Sequence, residues 1–388
     1  MASCNPIELN KTSIQNGFLK RNMTQHEKRE DAAMKKARTL GLIIMCLILS
    51  LGGCGKESDP SGKTVENGGA VNQTSSAETP AAETETSSAT EPVPVPEDDP
   101  ALPGGVLVMI DNHSKARPQS GLDKADVVFE IMAEGGITRY MALFYTQSAE
   151  KIGPVRSARY YFVQLAKGMD LPYAHVGGST DGLSTISKLG VKDLNEMSNA
   201  GYCFWRDKSR KAPHNTYTST EKLMAGIEKK GFGDKAPVLP PYGTEFIGEA
   251  LAVGEVELDY YSSGSYSYRV TWRWEEGLGG NGGQYRRYIN DKAQSTLEEV
   301  PLVADTIYIL AASTTSRNTK PLTSAVDIIG EGDALCIVDN QILRGKWVKE
   351  TAEKPLQILD STGQPMKRKL GKTWVQIIDS LDDVDLGQ

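Results

Sequence analysis

The chain has 388 residues, of which 24% are charged, and its formal net charge is −7 at pH 7. Residues 1–54 carry +4 (8 basic, 4 acidic), residues 55–100 carry −8 (2 basic, 10 acidic) and residues 101–388 carry −3 (33 basic, 36 acidic). A nearly neutral folded part lacks the clustered basic face that phosphates require, so we expect no nucleic-acid partner. Its length is sufficient for two ordinary domains.

The first 54 residues have the pattern of a secretion signal with a lipobox. Lys35, Lys36 and Arg38 precede a twelve-residue apolar segment, 40–51, which is shorter than the roughly 20 residues that cross a bilayer. The segment ends in Leu-Gly-Gly-Cys at 51–54, where small residues precede a cysteine that can accept a diacylglyceryl group. The sequence therefore predicts a cleaved signal peptide and a lipoprotein on the outer face of the cytoplasmic membrane.

Cys54 is the predicted lipidation site, carrying palmitate or a similar acyl chain, and membrane lipid is thus the first predicted partner. A buried core helix beside a chance cysteine is the alternative interpretation. Met34 is an alternative translation start, which would make residues 1–33 an upstream extension.

Residues 55–100 are predicted to form a disordered acidic tether. They are rich in Ser, Thr, Glu, Ala and Pro and contain hardly any large apolar side chain. Such a segment cannot bury enough surface to offset the entropy of ordering. A flexible chain of this length spans roughly 35–40 Å on root-mean-square average, so the lipid and the folded part should be loosely coupled.

Residues 101–240 show both strand and helix patterns, which predicts a mixed α/β N-terminal domain. Segments 106–110, 126–134 and 137–146 are prone to form strands, and segment 158–167 has helical periodicity. A later helix should begin near Thr218, which has capping-box spacing to Glu221, and should end at Gly231. The proline-rich stretch 236–250 is the predicted junction.

Residues 250–385 are richer in strand patterns and predict a smaller, β-rich C-terminal domain, so the predicted fold class is α+β. Between Tyr266 and Trp274, apolar and polar residues alternate, as in a sheet with one buried face. An aromatic stripe of this kind is core more often than a platform for sugars, which is the alternative. Further strands are predicted at 306–311, 334–338, 342–348 and 373–378.

Several short strings carry more charged and turn-forming residues than a core requires. They are RPQSGL (117–122), EGGITR (134–139), GPVRSAR (153–159) and PHN (213–215). In this order they resemble the N-terminal domain of the YerB-like lipoproteins, and GKW (345–347) with GKTWV (371–375) resembles that family's C-terminal domain. The resemblance spans residues 103–380 and implies a two-domain, membrane-tethered extracytoplasmic protein. It implies no catalytic residue, because the family has no established reaction.

The polar residues in and around these strings form a candidate ligand site, which consists of Asp111, Asn112, Arg117, Arg139, Arg156, Arg159 and Arg210. Asp111 ends a predicted strand, where α/β sheets place ligand-contacting groups. If a helix begins near Pro154, Arg156 and Arg159 share one face, and guanidinium groups suit carboxylate or phosphate. The expected ligand is an anionic or carbohydrate-containing envelope polymer, or a partner protein.

Two other interpretations of these residues stay open. In the first, Arg139, Arg156 and Arg159 pair with Asp111, Glu130 and Glu134 in a purely structural network. In the second, the protein is a cell-envelope hydrolase or transferase in which Asp111 or Glu134 is the general base and His214 the acid, with arginines stabilising negative charge.

No metal and no cofactor are expected, because the sequence contains no His-Glu-x-x-His pattern and no histidine pair at helical spacing. No Gly-x-Ser-x-Gly elbow surrounds the candidate nucleophiles Ser157 and Ser179. The two cysteines after the tether, Cys203 and Cys336, are expected to be separate buried thiols rather than a disulfide.

Overall fold

The computed structural model describes residues 102–250, 254–278, 282–317 and 323–387. The predicted signal region (1–54) and the predicted tether (55–100) lie outside these residues, as does part of the glycine-rich stretch 277–283. All described residues belong to one unit, Glu85–Gln388. Among them, no helix is both long and apolar enough to span a membrane.

The N-terminal part contains short strands, three α-helices and two 3-10 turns. The strands are β1 (Val106–Asp111), β2 (Val127–Glu134), β3 (Ile137–Phe144), β4 (Tyr173–His175), β5 (Asp193–Asn195), β6 (Trp205–Arg206) and β7 (Thr216–Tyr217). The helices are α1 (Tyr160–Met169), α2 (Thr180–Leu189) and α3 (Thr220–Lys230), and the 3-10 turns are Leu122–Lys124 and Gly201–Cys203.

The described C-terminal part is built almost entirely from strands, with one 3-10 turn at Leu381–Asp383. The strands are β8 (Glu249–Ala250), β9 (Glu255–Ser263), β10 (Tyr266–Glu276), β11 (Gly283–Ile289), β12 (Lys292–Ala293), β13 (Val303–Ala304), β14 (Thr306–Ala311), β15 (Thr314–Arg317), β16 (Thr323–Val326), β17 (Gly330–Val338), β18 (Gln341–Lys349), β19 (Gln357–Asp360), β20 (Thr373–Ile378) and β21 (Val384–Asp385). The predicted α+β class, with a strand-rich C-terminal part, is confirmed.

One large sheet contains strands from both halves of the chain. Its main order is β19-β18-β17-β14-β20-β2-β3-β1-β4-β5. Strand β20 lies between β14 and β2 and runs parallel to both. The register places Val127 opposite Thr373 and Ile131 opposite Ile377. The N-terminal and C-terminal parts are therefore joined by continuous backbone hydrogen bonding.

A second sheet, with the main order β12-β11-β10-β9-β21, covers one face of the large sheet. Tyr268, Val270 and Trp272 of β10 are buried, whereas Tyr266 is exposed. The buried residues belong to one hydrophobic cluster with Trp374 of β20, whose ring lies 5.2 Å from that of Trp272. The middle of the aromatic stripe predicted from the alternating pattern is core, while its first residue, Tyr266, is exposed and its last, Trp274, is partly buried against the cluster.

Helix α1 packs on the opposite face of the large sheet, where Tyr161, Phe162 and Leu165 are buried. It begins at Tyr160, later than the sequence predicted, with Arg159 as an extended N-cap. The preceding backbone bonds to neighbouring strands instead, since the Arg156 N–H donates to the Met109 carbonyl at 2.9 Å. The prediction that Arg156 and Arg159 share a helical face is therefore wrong.

Helix α3 begins one residue later than the predicted capping box. The side chain of Ser219, not Thr218, accepts a hydrogen bond from the Lys222 N–H at 3.2 Å. Thr218 instead donates its hydroxyl to the Cys203 carbonyl at 2.8 Å. The helix ends at Gly231, as predicted, in the left-handed conformation. Both described cysteines, Cys203 and Cys336, are free and buried.

Candidate functional site

Asp111, at the end of β1, is the centre of a polar cluster that also contains His113, Arg156 and His214; we call it the Asp111 cluster. The Oδ2 atom of Asp111 lies 2.7 Å from His214 Nδ1 and 3.2 Å from Arg156 Nε. Its Oδ1 atom accepts a hydrogen bond from the His113 backbone N–H at 2.9 Å. The Asp111 side chain is 4% exposed and that of Arg156 is 24% exposed. A buried carboxylate thus positions an imidazole and a partly exposed guanidinium.

Two imidazole rings stack within this cluster. The ring centroids of His113 and His214 are 4.8 Å apart at an interplanar angle of 24°. Because Nδ1 of His214 contacts Asp111, Nε2 is the ring nitrogen left for a ligand or a proton. Burial, reinforced by the neighbouring His214, lowers the pKa of His113. His113 was not among the predicted site residues, although its position directly after Asp111-Asn112 was a usable signal.

Of the two other arginines predicted to contact the ligand, Arg210 holds the loops of the Asp111 cluster together, whereas Arg117 lies over Tyr268. Arg210 donates from Nη1 to the Ala116 carbonyl at 2.8 Å and from Nη2 to the Pro118 carbonyl at 2.6 Å. These bonds connect the loop that carries His214 to the loop that follows Asp111. The guanidinium of Arg117 lies 5.8 Å from the ring centre of Tyr268. Arg210 therefore holds these two loops together beside the Asp111 cluster.

Asn112 is fully buried and points into the interior. Its Nδ2 donates to Thr138 Oγ1 at 2.7 Å and also to the hydroxyl of Tyr268. Its Oδ1 accepts a hydrogen bond from Gln119 Nε2 at 3.3 Å. This side chain is satisfied by protein groups, so the geometry gives it a structural role rather than contact with a ligand.

Glu134, Arg139 and Arg159 form a separate group, the Glu134 cluster. Arg139 Nη2 donates to Glu134 Oε1 at 2.6 Å, and Arg159 Nη2 donates to Oε2. The two arginine side chains are only 4% and 10% exposed. Burial opposes ionisation of Glu134, but the two guanidiniums outweigh it and lower its pKa to about 2. A carboxylate that is so weakly basic suits an ion-pair network better than general-base chemistry.

Each arginine of the Glu134 cluster also donates to the backbone. Arg139 Nη1 bonds to the Ser157 carbonyl and Arg159 Nη1 to the Ala158 carbonyl, both at 2.8 Å. The structure thus separates the arginines that the sequence grouped together. The partly exposed Arg156 belongs to the Asp111 cluster, while the buried Arg139 and Arg159 belong to the Glu134 cluster.

Glu130 has a partner that no local sequence pattern indicated. Its Oε2 accepts a hydrogen bond from Arg287 Nη2 at 2.7 Å, and both side chains are fully buried. Its Oε1 accepts from the hydroxyls of Thr138 and Tyr268, each at 2.7 Å. Arg287 also lies 4.9 Å from the ring centre of Trp374. This pair connects the two halves of the chain inside the core.

A cleft of about 340 Å³ lies elsewhere, between the turn after β2 and strands β9, β15 and β16. Gly136, Tyr261, Asp379 and Asp383 are among the residues that line it. None of the predicted site residues lines this cleft.

Comparisons with known proteins match both halves of the chain to one protein family. The N-terminal domain model of DUF3048, described as a protein of unknown function, matches residues 94–233, and the C-terminal domain model matches residues 256–375. The chain is 31% identical over 286 residues to "Putative lipoprotein YerB" of Bacillus subtilis (strain 168), which covers 73% of this chain and 83% of that protein. The crystal structure of YerB protein from Bacillus subtilis matches with a TM-score of 0.63 at 30% identity, covering 73% of this chain and 93% of that chain.

Proposed function

Because the chain belongs to the DUF3048 family of YerB-like proteins, we propose that it is a membrane-anchored extracytoplasmic lipoprotein that binds an anionic cell-envelope ligand. The Bacillus subtilis relative is named a putative lipoprotein, and the lipobox of this chain supplies its own acceptor thiol, Cys54. The acidic segment 55–100 would hold the folded part away from the outer face of the cytoplasmic membrane.

The Asp111 cluster is the observation that carries the binding proposal. The Arg156 Nε atom forms an ion pair with Asp111 Oδ2 at 3.2 Å but no hydrogen bond, and neither Nη group of Arg156 makes a hydrogen bond with the described residues. A guanidinium held in this way can bind carboxylate or phosphate through two parallel hydrogen bonds. With the exposed Lys115 nearby, two permanent cations, Arg156 and Lys115, face the single carboxylate of Asp111. This surplus favours an anionic ligand.

The Glu134 cluster differs from the Asp111 cluster in a way that supports the Asp111 cluster as the ligand site. There one carboxylate faces two arginines. All four Nη groups of these arginines donate hydrogen bonds, either to Glu134 or to a backbone carbonyl. The structural-network interpretation therefore accounts for Arg139 and Arg159. It leaves the partly exposed end of Arg156 unexplained.

Binding is tested with the acylated mature chain in detergent micelles. Titration calorimetry with inorganic phosphate, pyrophosphate and purified muropeptides should detect at least one ligand, and Arg156→Met should weaken its binding about tenfold or more, since a charge-assisted hydrogen bond contributes about 1.5 to 3 kcal/mol. Arg344→Met is the matched control, because Arg344 is an exposed arginine paired with Glu249. Equal affinity of Arg156→Met and the unmodified protein would exclude the proposal.

A second candidate function, an envelope hydrolase or transferase, is favoured by the 2.7 Å contact between Asp111 and His214. A carboxylate that orients an imidazole in this way leaves Nε2 to act as a base toward water or a hydroxyl, and Arg156 could stabilise the negative charge that develops. In this version His214 is the base and Asp111 the positioning residue, the reverse of the roles expected from the sequence. Mass spectrometry of envelope fractions incubated with the protein would measure turnover. His214→Gln should then abolish turnover without loss of ligand binding.

The anchor is tested separately. Cys54→Ala should leave an unacylated precursor, because thioether formation requires the thiol. Metabolic labelling with an alkynyl palmitate probe measures this directly. Equal labelling of Cys54→Ala and the unmodified protein would remove the lipoprotein assignment but would leave the ligand site untouched.

A further inference from the structure

The cleft of about 340 Å³ beside the turn after β2 shares no lining residue with the Asp111 cluster or the Glu134 cluster. Its volume is within the range of small-molecule sites. The charged residues that line it are Asp259 of β9, Asp379 after β20 and Asp383 in the last 3-10 turn, and its described lining contains no basic residue. Three carboxylates from three separate segments of the chain therefore face one cleft.

Two of these carboxylates are placed against each other by strand pairing. Strand β21 is antiparallel to β9, with Val384 opposite Leu258. The same register places Asp383, one residue earlier, beside Asp259, one residue later. Like charges at opposite positions of neighbouring strands are destabilising. A cation between them would remove this repulsion.

Neutral groups, rather than cations, contact these carboxylates. The Thr314 N–H donates to Asp379 Oδ1 at 2.6 Å, and the Ser262 hydroxyl donates to Asp259 Oδ2 at 2.7 Å. None of the three aspartates forms an ion pair with another residue in the described part of the chain. Partial burial and the charges of Asp379 and Asp259 raise the pKa of Asp383. The described residues thus leave the negative charge of the cleft uncompensated.

The cleft also contains a buried hydroxyl group, that of Ser324 in β16. Ser324 is 7% exposed, and its hydroxyl makes no hydrogen bond with a described residue. Ser324 is paired with Ser316 of β15, and Thr314 is two residues before Ser316, so the three side chains lie on one side of the hairpin. All three residues line the cleft, whereas Arg317, on the other side, lies 4.9 Å from the ring centre of Tyr160. The Ser324 hydroxyl therefore points into the cleft, where a ligand N–H could bond to it.

The spacing of these groups indicates the shape of the ligand. The three carboxylates are not grouped as ligands of one metal ion among the described residues. Asp379 and Asp383 are exposed and Asp259 is half-buried, so a ligand can reach each of them from solvent. A primary ammonium group has three N–H donors and can bond to a carboxylate and a hydroxyl at once. A chain with several spaced ammonium groups matches this arrangement better than a compact ion.

We propose that this cleft binds a linear organic polyamine. Asp259 and Asp383 hold one ammonium group between them, and Asp379 and the Ser324 hydroxyl accept hydrogen bonds from the next. Relief of the repulsion between Asp259 and Asp383 favours binding in a way that an isolated surface carboxylate cannot. This proposal does not depend on the function proposed for the Asp111 cluster.

Titration calorimetry with spermidine, on the intact mature chain in micelles of an uncharged detergent, tests the proposal. We expect saturable binding of one spermidine per chain, which weakens as the salt concentration rises. Asp259→Asn combined with Asp383→Asn should weaken it about tenfold or more, because charge-assisted hydrogen bonds are lost. Asp234→Asn combined with Asp333→Asn is the matched control, since it removes equal charge from two exposed sites outside the cleft and should leave the affinity unchanged.

Ser324→Ala is the second variant, because the hydroxyl has no described partner to lose and the fold should keep its melting temperature. It should weaken spermidine binding about threefold or more, the size of one neutral hydrogen bond. Circular dichroism verifies that each variant is folded. Absence of binding by the unmodified protein would overturn the proposal, as would an unchanged affinity in either cleft variant. An equal loss in the control pair would also overturn it, because the attraction would then come from overall negative charge.

Discussion

At the scale of single residues, the side chains of two arginines depend on one carboxylate, that of Glu134. Glu134→Gln would leave Arg139 and Arg159 largely buried without a counter-charge. We expect a loss of about 3 to 5 kcal/mol in the free energy of unfolding, as for other broken buried pairs. Arg156→Met should cost only about 1 kcal/mol, because Arg156 is partly exposed and Asp111 keeps its contacts with His214 and the His113 N–H. Chemical denaturation of both variants measures the difference, and similar losses would contradict it.

Glu134 should also set part of the acid sensitivity of the fold. Its pKa falls from 4.5 to about 2 on folding, so the unfolded chain takes up the proton first as the pH falls. The contribution of Glu134 is therefore complete above about pH 4.5 and is lost progressively toward pH 2, and it amounts to roughly 3 kcal/mol. Denaturation at pH 7 and pH 3 should show a smaller acid loss for Glu134→Gln than for the unmodified protein. An equal loss would assign the acid sensitivity to other groups.

At the scale of elements, the pairing of β18 with β19 depends on a glycine from the string GKW. A Cβ at Gly345 would lie 2.0 Å from the Leu359 carbonyl oxygen of β19, which is backbone and cannot move aside. Gly345→Ala should therefore cost several kcal/mol, more than ordinary overpacking, which costs about 1 to 3 kcal/mol. Gly363→Ala is the matched control, since its positive φ of 82° adds only conformational strain in open space, about 1 to 2 kcal/mol. Thermal denaturation compares the two, and a smaller loss for Gly345→Ala would show that β19 adjusts.

Local patterns predicted elements better than they predicted partners. Strands β14 and β20 have the predicted bounds, because compact apolar runs between turn residues are typical of buried strands. Helix α2 was not predicted, since it buries only Gly182 and Ile186 and so lacks an apolar stripe. At the site, Asp111 and His214 were both identified from their polar surroundings. Only the hydrolase or transferase alternative placed them in one site, because no local pattern indicates a contact between residues that are far apart in the chain.

At the scale of the whole molecule, β20 and the Glu130–Arg287 pair make the two halves interdependent. We expect a single calorimetric unfolding transition, with equal calorimetric and van't Hoff enthalpies. Arg287→Met should lower its temperature without splitting it, because a lost partner leaves Glu130 buried and unpaired. Two resolved transitions in either protein would show that the halves unfold independently.

The position of β20 has a consequence for biosynthesis. The chain is made from its N-terminus, so β2 and β14 are present long before the strand that lies between them. Until residues 373–378 emerge, each of these two strands has one bare edge, and bare edges invite pairing with other chains. If the protein is exported as proposed, residues 373–378 must cross the membrane before its sheet can close. The critical period for holding chaperones and quality-control proteases is therefore the time before β20 has crossed the membrane.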